Sequence, residues 1–163
     1  MPSVIVSSLA AAADAHARCK PGYVISILDS DDAVPEPFRQ LPKERHLRLD
    51  PAACEKDIAA SILEFAKNWT TSDENILIHC HRGVARSMAI AYVLLCARNA
   101  GECEEKIAAR LRAAAPHADP NLRLVSEADR LLERDDRMVG AILDLCPCCS
   151  TVCAPVVTLP AAP

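Results

Sequence analysis

The sequence predicts an α/β fold: a three-layer sandwich with a central, mainly parallel sheet flanked by helices. Short apolar segments of strand length alternate along the chain with longer segments of helical periodicity, as in parallel sheets connected by helices. Residues 75–79, NILIH, are apolar without alternation, as expected for a strand covered on both faces. The 163 residues suit one domain with a real core. We place it at residues 1–145, followed by a Cys- and Pro-rich tail at 146–163.

The first third of the chain alternates predicted strands with one helix. The strands are SVIVSSL at 3–9, GYVISIL at 22–28 and RHLRL at 45–49, and an Ala-rich helix covers 9–19. Residues 29–44 are polar and contain three prolines, so we predict a loop that crosses the surface. The strand at 45–49 ends at Asp50-Pro51, because proline cannot continue a central strand.

The rest of the chain is predicted to be mainly helical apart from the strand at 75–79. The predicted helices are 55–68, the helix that begins near Arg86, Glu102–Ala115 and Leu122–Arg137. The helix from Arg86 contains SMAIAYVLLCAR and is apolar nearly all round, which predicts a central position in the core. The end of the chain, Val156–Pro163, is predicted to be frayed.

Composition excludes several classes of function. The formal net charge is -4, which makes nucleic acid a poor partner. No apolar run approaches the roughly 20 residues of a membrane span, and the N-terminus lacks the basic start of a secretory signal. We therefore expect a cytoplasmic protein with no membrane span. Aromatic residues are only 3% of the chain, so the core should be aliphatic and deep aromatic pockets should be absent.

Nine cysteines could suggest disulfides, but their distribution argues against such a framework. The number is odd, five lie scattered through predicted elements, and four crowd the C-terminal CPCCSTVC segment. That segment lacks the two separated Cys/His pairs of a structural zinc site. We expect free thiols there, and neither a metal nor another cofactor.

The segment ILIHCHRGVARS, residues 76–87, carries the chemistry. Its loop joins the carboxyl end of a predicted central strand to the N-terminus of a helix, where open α/β sheets bind their ligands. Unpaired N–H groups and the helix dipole at such a place bind oxyanions, and Gly83 lets the backbone turn tightly. Arg86 offers two parallel donors to a phosphoryl group, and the same field favours the thiolate of Cys80. These residues predict a phosphatase.

A cysteine and an arginine six positions apart are a weak motif by themselves, because chance produces such pairs often. The addition of His79, Gly83 and Ser87 at fixed positions makes the pattern specific. HCHRGVARS resembles the His-Cys-x5-Arg-Ser/Thr signature of cysteine-based protein tyrosine and dual-specificity phosphatases. The alternative is a basic turn with a buried thiol.

The resemblance extends over roughly residues 22–137 of this chain. HLRLD lies about 30 residues upstream of Cys80, as the general-acid segment of the family does. AAAPHADPNLRLVSEADRLL is similar to the RP-x-A-x-PN stretch of small members, and this later part is also similar to a bacterial branch of predicted tyrosine phosphatases. The chain length fits the compact dual-specificity type.

The resemblance implies hydrolysis of a phosphomonoester through a Cys80 thiophosphate, on phosphotyrosine or another phosphorylated protein side chain. A carboxylic acid must protonate the leaving alcohol. Asp50 is the candidate, since it ends a strand on the same edge of the sheet as the loop. The group Asp29, Asp31 and Asp32 is the alternative, and Asp50 would then be a turn residue or N-cap before Pro51.

The remaining site residues are expected to shape or support the loop. Phosphate, sulfate or vanadate should bind among the backbone N–H groups of the loop and Arg86; the expected substrate-binding residues are His81, Arg82, Gly83, Val84, Ala85 and Ser87. The resemblance implies that His79 is a structural hydrogen-bonding residue that tunes the Cys80 thiolate rather than a base, and we expect Asn121 to brace the loop. Ser87 could donate a hydrogen bond to the Cys80 sulfur or satisfy helix backbone.

Arg82 departs from the family, many members of which have a small residue before the loop glycine. His81 and Arg82 either face the mouth of the site, where they would favour extra phosphates or acidic neighbours, or point to solvent. Phe38 and Trp69 are the only rings left to line a cleft, so we expect a shallow site.

Four other functions are alternatives. A non-catalytic relative could bind phosphorylated partners with the same loop, but Cys80, Arg86 and a candidate acid are all present. A phosphoinositide or other non-protein phosphoester could be the substrate. A rhodanese-like loop is shorter, and arsenate reductases of the low-molecular-weight type carry their loop near the N-terminus, so position 80 argues against both.

Overall fold

The computed structural model describes residues 1–146, 148–152 and 154–162. The strands are β1 (Ser3–Ser8), β2 (Tyr23–Ile27), β3 (His46–Leu49), β4 (Ile76–Cys80) and β5 (Val157–Pro160). The helices are α1 (Ala12–Cys19), α2 (Glu36–Arg39), α3 (Glu55–Thr70), α4 (Arg86–Arg98), α5 (Glu104–Ala114), α6 (Leu122–Leu131) and α7 (Arg137–Leu143).

The strands form one sheet in the order β3-β2-β4-β1-β5. The pairs β3–β2, β2–β4 and β4–β1 are parallel, and only β5 runs antiparallel to its neighbour β1. The predicted α/β sandwich with a mainly parallel sheet is therefore confirmed. The strand β4 lies at the centre, which explains why all five of its residues are buried.

The sheet is covered on both faces, by layers of unequal size. Ile76, Ile78 and Cys80 of β4 belong to the larger core, which contains the buried residues of α3 to α7. Leu77 faces the smaller core with Ala12, Ala15 and Phe38 from α1 and α2. Because side chains alternate along a strand, Cys80 and its neighbour His79 project to opposite faces of the sheet.

Helix α4 lies in the centre of the larger layer, as its sequence predicts. Every residue from Ser87 to Cys96 is buried, and the helix packs on β1, β4 and three other helices. A helix with no polar face has one stable position, surrounded by other elements. Its N-terminus, at Arg86, is thereby fixed directly behind the end of β4.

Two predictions about helices are wrong. The surface loop predicted at 29–44 contains the short helix α2, which buries Phe38 completely. The single helix predicted at Leu122–Arg137 is two helices, α6 and α7, separated by a turn with positive φ at Glu133, Asp135 and Asp136. The carboxylate of Asp129 accepts the N–H groups of Asp136 and Met138 and so begins α7 where helical periodicity alone predicts continuity.

The frayed end predicted from Val156 is also wrong for Val157–Pro160, which form β5. This strand pairs with Ser3–Val6 of β1. Val157 and Leu159 are buried in the larger core, whereas Thr158 and Pro160 are exposed. The alternation is too short to be a convincing strand pattern by itself, and the free edge of β1 selects it.

All described cysteines are free thiols. Within residues 1–146, 148–152 and 154–162, no group of three or more His, Cys, Asp or Glu side chains is arranged to hold a metal ion. Two residues of the CPCCSTVC segment, Pro147 and Cys153, lie outside the described part. None of the helices described is both long and apolar enough to cross a membrane.

A buried ion pair connects α5 to the turn between α6 and α7. Glu104 Oε1 lies 2.7 Å from Arg134 Nη1, and both side chains are almost fully buried. Arg134 also donates to the carbonyl of Cys96 at 2.9 Å, and Arg137 Nε lies 3.3 Å from the other oxygen of Glu104. The pair and its hydrogen bond thus connect α5, the end of α4 and the turn that follows α6.

We expect Glu104→Ala to destabilise the protein by about 3–5 kcal/mol, because it leaves the Arg134 guanidinium buried without a counter-charge. Urea unfolding followed by circular dichroism measures the change. The matched control is Glu64→Ala, which removes an exposed partner of Lys67 and should alter stability little. Equal effects of the two substitutions would contradict a structural role for the buried pair.

Candidate active site

The site lies where β4 ends and α4 begins. Residues 81–85 connect Cys80 to Arg86, and the resulting 80–86 loop sits at the carboxyl edge of the parallel sheet. Cys80 is the last residue of β4, and Arg86 is the first residue of the buried helix α4, so these two elements fix the two ends of the loop. Sequence order alone predicts this arrangement, since both elements are apolar and fixed in the core.

The backbone of the 80–86 loop is held from outside by other segments. Four of its carbonyl oxygens accept backbone N–H groups: His81 from Leu9 at 3.3 Å, Arg82 from Ala154 at 3.0 Å, Val84 from Asp119 at 3.1 Å and Ala85 from Asn121 at 3.3 Å. No peptide bond described is cis. Because the C=O and N–H of a trans peptide point in opposite directions, these contacts turn the following N–H groups toward the inside of the loop. An inward array of N–H groups is a binding site for a tetrahedral oxyanion.

Gly83 is required by the path of the loop. Its φ is +73°, and a Cβ atom there would lie 2.9 Å from the backbone carbon of Ser7 and from the backbone nitrogen of Ser8. A side chain would therefore be strained by the backbone conformation and would collide with the end of β1. The loop rests directly on this strand.

Cys80 lies at the bottom of the loop with two potential donors on its sulfur. Its side chain is 8% exposed; Ser87 Oγ lies 3.1 Å from Sγ, and Gly83 N–H donates to Sγ at 3.3 Å. Cys96, in the middle of α4, has a different environment: burial raises the pKa of its thiol to about 12, so that thiol stays protonated.

A cleft of about 290 Å³ opens above the loop. Its lining consists of Ile27, Asp29, Asp32, Pro51, Cys80, His81, Arg82, Val84, Ala85, Arg86 and Asp119. The size accommodates a phosphoryl group and a small part of the molecule that carries it. Arg86 is exposed at this mouth, and its Nη2 reaches the carbonyl of Pro51 at 3.5 Å. The cleft therefore brings Cys80 and Arg86 together with residues of the two segments that follow β2 and β3.

The candidate acids are distributed unequally around this cleft. Asp29 and Asp32 line it, whereas Asp50 does not, although the next residue, Pro51, does. The carboxylate of Asp50 accepts the N–H of Ala52 at 2.8 Å, as a turn residue does. Asp119 lines the cleft as well; sequence reasoning missed it, although it lies within the stretch that resembles the segment following the family signature.

The two rings that were available to line a cleft lie in the core instead. Phe38 and Trp69 are fully buried: Phe38 packs against the ring of His79, and the indole N–H of Trp69 donates to Glu74 O at 2.9 Å. No phenylalanine, tyrosine or tryptophan appears among the lining residues of the described chain. The apolar side chains of the lining, among them Ile27, Val84 and Ala85, are all aliphatic.

His79 lies on the opposite face of the sheet from the cleft. Its Nε2 is 2.7 Å from Ser26 Oγ, which is also 2.8 Å from His46 Nε2. Burial, reinforced by the nearby His46, lowers the pKa of His79 to about 4. The imidazole is therefore neutral at pH 7, and its described partner is Ser26 rather than the Cys80 sulfur.

The remaining predicted residues have distinct neighbours. Asn121 is the N-cap of α6, and its Oδ1 accepts a hydrogen bond from the N–H of Leu124 at 3.1 Å. Its own backbone N–H donates to the carbonyl of Ala85 in the loop. His81 is exposed. The guanidinium of Arg82 donates to the carbonyls of Val152 at 3.0 Å and Thr151 at 2.6 Å, so it points toward the C-terminal segment.

Solved structures of dual-specificity phosphatases share this fold. DUSP15 matches with a TM-score of 0.59 at 18% identity, over 90% of this chain and 94% of that chain. Human DUSP28 matches with 0.60 at 20% identity, over 82% and 93%. A mouse protein of the dual-specificity type, complexed with zinc tungstate, matches with 0.59 at 17% identity, over 85% and 86%. No protein-family model and no curated protein matches the chain. The predicted dual-specificity-phosphatase-like fold is confirmed.

The neutral state of His79 predicts a loss of stability in acid. The unfolded chain binds a proton near pH 6.5 and the folded protein only near pH 4, so stability falls as the pH is lowered between these values, by about 3 kcal/mol. His79→Gln should reduce this pH dependence in urea unfolding at pH 7 and pH 4.5. The control His81→Gln, an exposed histidine, should match the wild type; identical slopes for all three proteins would contradict the assignment.

Proposed function

We propose that the protein is a cysteine-based phosphomonoester hydrolase that forms a covalent thiophosphate on Cys80. The observation that supports this most is the 80–86 loop, with its carbonyls held outward and the Cys80 sulfur between Ser87 and Gly83 N–H at 3.1 and 3.3 Å. A thiolate below an oxyanion-binding loop is placed to attack a bound phosphorus atom. The shared fold with dual-specificity phosphatases agrees with this chemistry.

In the first step the phosphate group binds inside the loop, with two oxygens on the Arg86 guanidinium. The contact of Arg86 with Pro51 O is long, at 3.5 Å, so exchanging it for a phosphate costs little. The Cys80 thiolate attacks phosphorus, the S–P bond forms, and the bond from phosphorus to the ester oxygen breaks. A carboxylic acid protonates the departing oxygen.

We propose Asp50 as this acid. Pro51 lines the cleft next to it, so a small movement of the turn would bring the carboxyl group to the leaving oxygen. The hydrogen bond to Ala52 would have to break, and unliganded geometry is not decisive for a catalytic acid. Asp29 and Asp32 are the alternative, favoured by their position in the cleft lining.

In the second step a water molecule attacks the thiophosphate and the S–P bond breaks. The hydroxyl of Ser87, 3.1 Å from the sulfur, donates a hydrogen bond to the departing thiolate. The carboxylate formed in the first step takes the proton of the water. His79 takes no part as a base, because its ring lies on the other face of the sheet.

The cleft supports a phosphorylated protein side chain as substrate, including phosphotyrosine. A small site binds the phosphoryl group and leaves the rest of the substrate on the surface. A phosphoinositide is less well supported, since the carboxylates of Asp29, Asp32 and Asp119 line the mouth and would repel additional phosphates. A non-catalytic phosphate-binding protein would use the same loop and is separated by the first experiment below.

Cys80→Ser should abolish hydrolysis of an aryl phosphate, because a hydroxyl without a base beside it cannot attack. Binding of vanadate or phosphate, measured by calorimetry, should persist. Cys103→Ser, at an exposed thiol, is the control and should retain turnover. Turnover in Cys80→Ser would overturn the covalent mechanism, and ion binding without turnover in the wild type would indicate a binding protein.

Replacement of the general acid should slow poor leaving groups most. We expect Asp50→Asn to reduce phenyl phosphate hydrolysis by roughly 10²–10⁴-fold, to affect nitrophenyl phosphate less, and to flatten the basic limb of the pH–rate profile. Asp119→Asn, which removes a carboxylate of the cleft lining, is the control, and Asp29→Asn and Asp32→Asn test the alternative acids. If Asp29→Asn or Asp32→Asn shows both effects and Asp50→Asn neither, the assignment of Asp50 is wrong.

A further inference from the structure

Residues just before β5 contact the outer side of the 80–86 loop. We call Thr151, Val152 and Ala154 the C-terminal strap. The carbonyls of Thr151 and Val152 accept the Arg82 guanidinium at 2.6 and 3.0 Å, and Ala154 N–H donates to the Arg82 carbonyl at 3.0 Å. Arg82 is thus held at both its side chain and its backbone by one short segment.

The backbone contact has a direct geometric consequence for Cys80. The peptide between Arg82 and Gly83 carries the carbonyl that Ala154 holds and the N–H that donates to Cys80 Sγ at 3.3 Å. The two groups point in opposite directions across one rigid plane. A rotation of this plane away from Ala154 would therefore also turn the Gly83 N–H away from the sulfur.

The contacts of Arg82 explain why an arginine stands where many related loops have a small residue. Its guanidinium is directed to two backbone carbonyls, which a side chain without donors cannot bind. The strap is in turn fixed to the sheet by β5, which begins three residues after Ala154 and pairs with β1. The strap therefore links the edge strand β5 to the 80–86 loop through its hydrogen bonds to Arg82.

We propose that Arg82 is a positioning residue: clamped by the C-terminal strap, it fixes the Arg82–Gly83 peptide so that its N–H stabilises the Cys80 thiolate. This inference rests on the proposed function for its effect on turnover. Its effect on the thiol itself does not require turnover, because a thiolate can be measured by alkylation.

Other charged groups line the same cleft, and their effect must be separated from this one. Besides Cys80, the lining contains the guanidinium groups of Arg82 and Arg86, the imidazole of His81 and the carboxylates of Asp29, Asp32 and Asp119. Removal of Arg82 takes away a positive charge as well as an anchor. A charge effect of an exposed group weakens at high salt, whereas a change in peptide orientation persists.

The experiment measures the rate at which iodoacetamide alkylates Cys80, identified by peptide mass spectrometry, between pH 4 and pH 9. The variants are Arg82→Ala, which removes the side-chain anchor, and Ala154→Pro, which removes the N–H that holds the Arg82 carbonyl and keeps the arginine. Both are measured at low salt and in 0.5 M sodium chloride, where the Debye length is roughly 4 Å and interactions between exposed charges are largely screened. Circular dichroism identifies any variant that does not fold.

We expect both variants to shift the midpoint of alkylation upward by about one pH unit, the order of effect of one lost hydrogen bond to an ionised group, at either salt concentration. For hydrolysis the acidic limb should move in the same direction, with kcat at low pH lowered more than KM is raised. Arg82→Lys, which keeps the charge and one donor, should recover part of the shift. If Ala154→Pro does not fold, the three Arg82 proteins decide the result.

The control is Arg98→Ala, since Arg98 also binds two backbone carbonyls, those of Trp69 and Ser72 at 2.9 and 3.0 Å, far from the loop. It should lower stability without moving the alkylation midpoint. An unchanged midpoint in folded Arg82→Ala, or a shift that disappears in high salt, would overturn the positioning role. Failure of the proposed function would appear differently, as a wild type that is alkylated normally but hydrolyses no phosphate.

Discussion

The orientation of the peptide planes in the 80–86 loop is the constraint on which the site depends. A loop of this size exposes as many carbonyls as N–H groups, and only one kind can face an anion. Backbone N–H groups from just after β1, from the segment before α6 and from the C-terminal segment donate to the loop carbonyls from outside. Distant parts of the chain therefore cooperate to make one short loop electropositive on its inner side.

The alternation of side chains along β4 separates Cys80 from its sequence neighbour His79. Cys80 projects to the cleft side, and His79 projects into the smaller core beside Phe38. The buried, neutral imidazole holds Ser26 of the adjacent strand and leaves the sulfur to hydroxyl and amide donors. The neighbours of the sulfur are therefore the Ser87 hydroxyl and the Gly83 N–H, and not an imidazole.

The mouth of the cleft combines the Arg86 guanidinium with three carboxylates. Arg86 is directed toward the cleft, whereas Arg82 is bound to the C-terminal carbonyls, so the two arginines have different surroundings despite their similar positions in sequence. Asp29, Asp32 and Asp119 line the same opening, so the cleft carries charges of both signs.

The sequence by itself determined the fold class, the strands β1 to β4, the central helix α4 and the place of Cys80 and Arg86, because these depend on local apolar patterns and on a motif of fixed spacing. Tertiary structure decided the rest. The short strand β5, the burial of Phe38 and the position of Asp119 in the cleft each depend on a partner distant in the chain: the free edge of β1, the ring of His79 and the Val84 carbonyl. The break between α6 and α7 depends on the side-chain hydrogen bonds of Asp129. Local periodicity contains no information about such partners, since hydrogen bonds and packing across the fold select among segments that look alike in sequence.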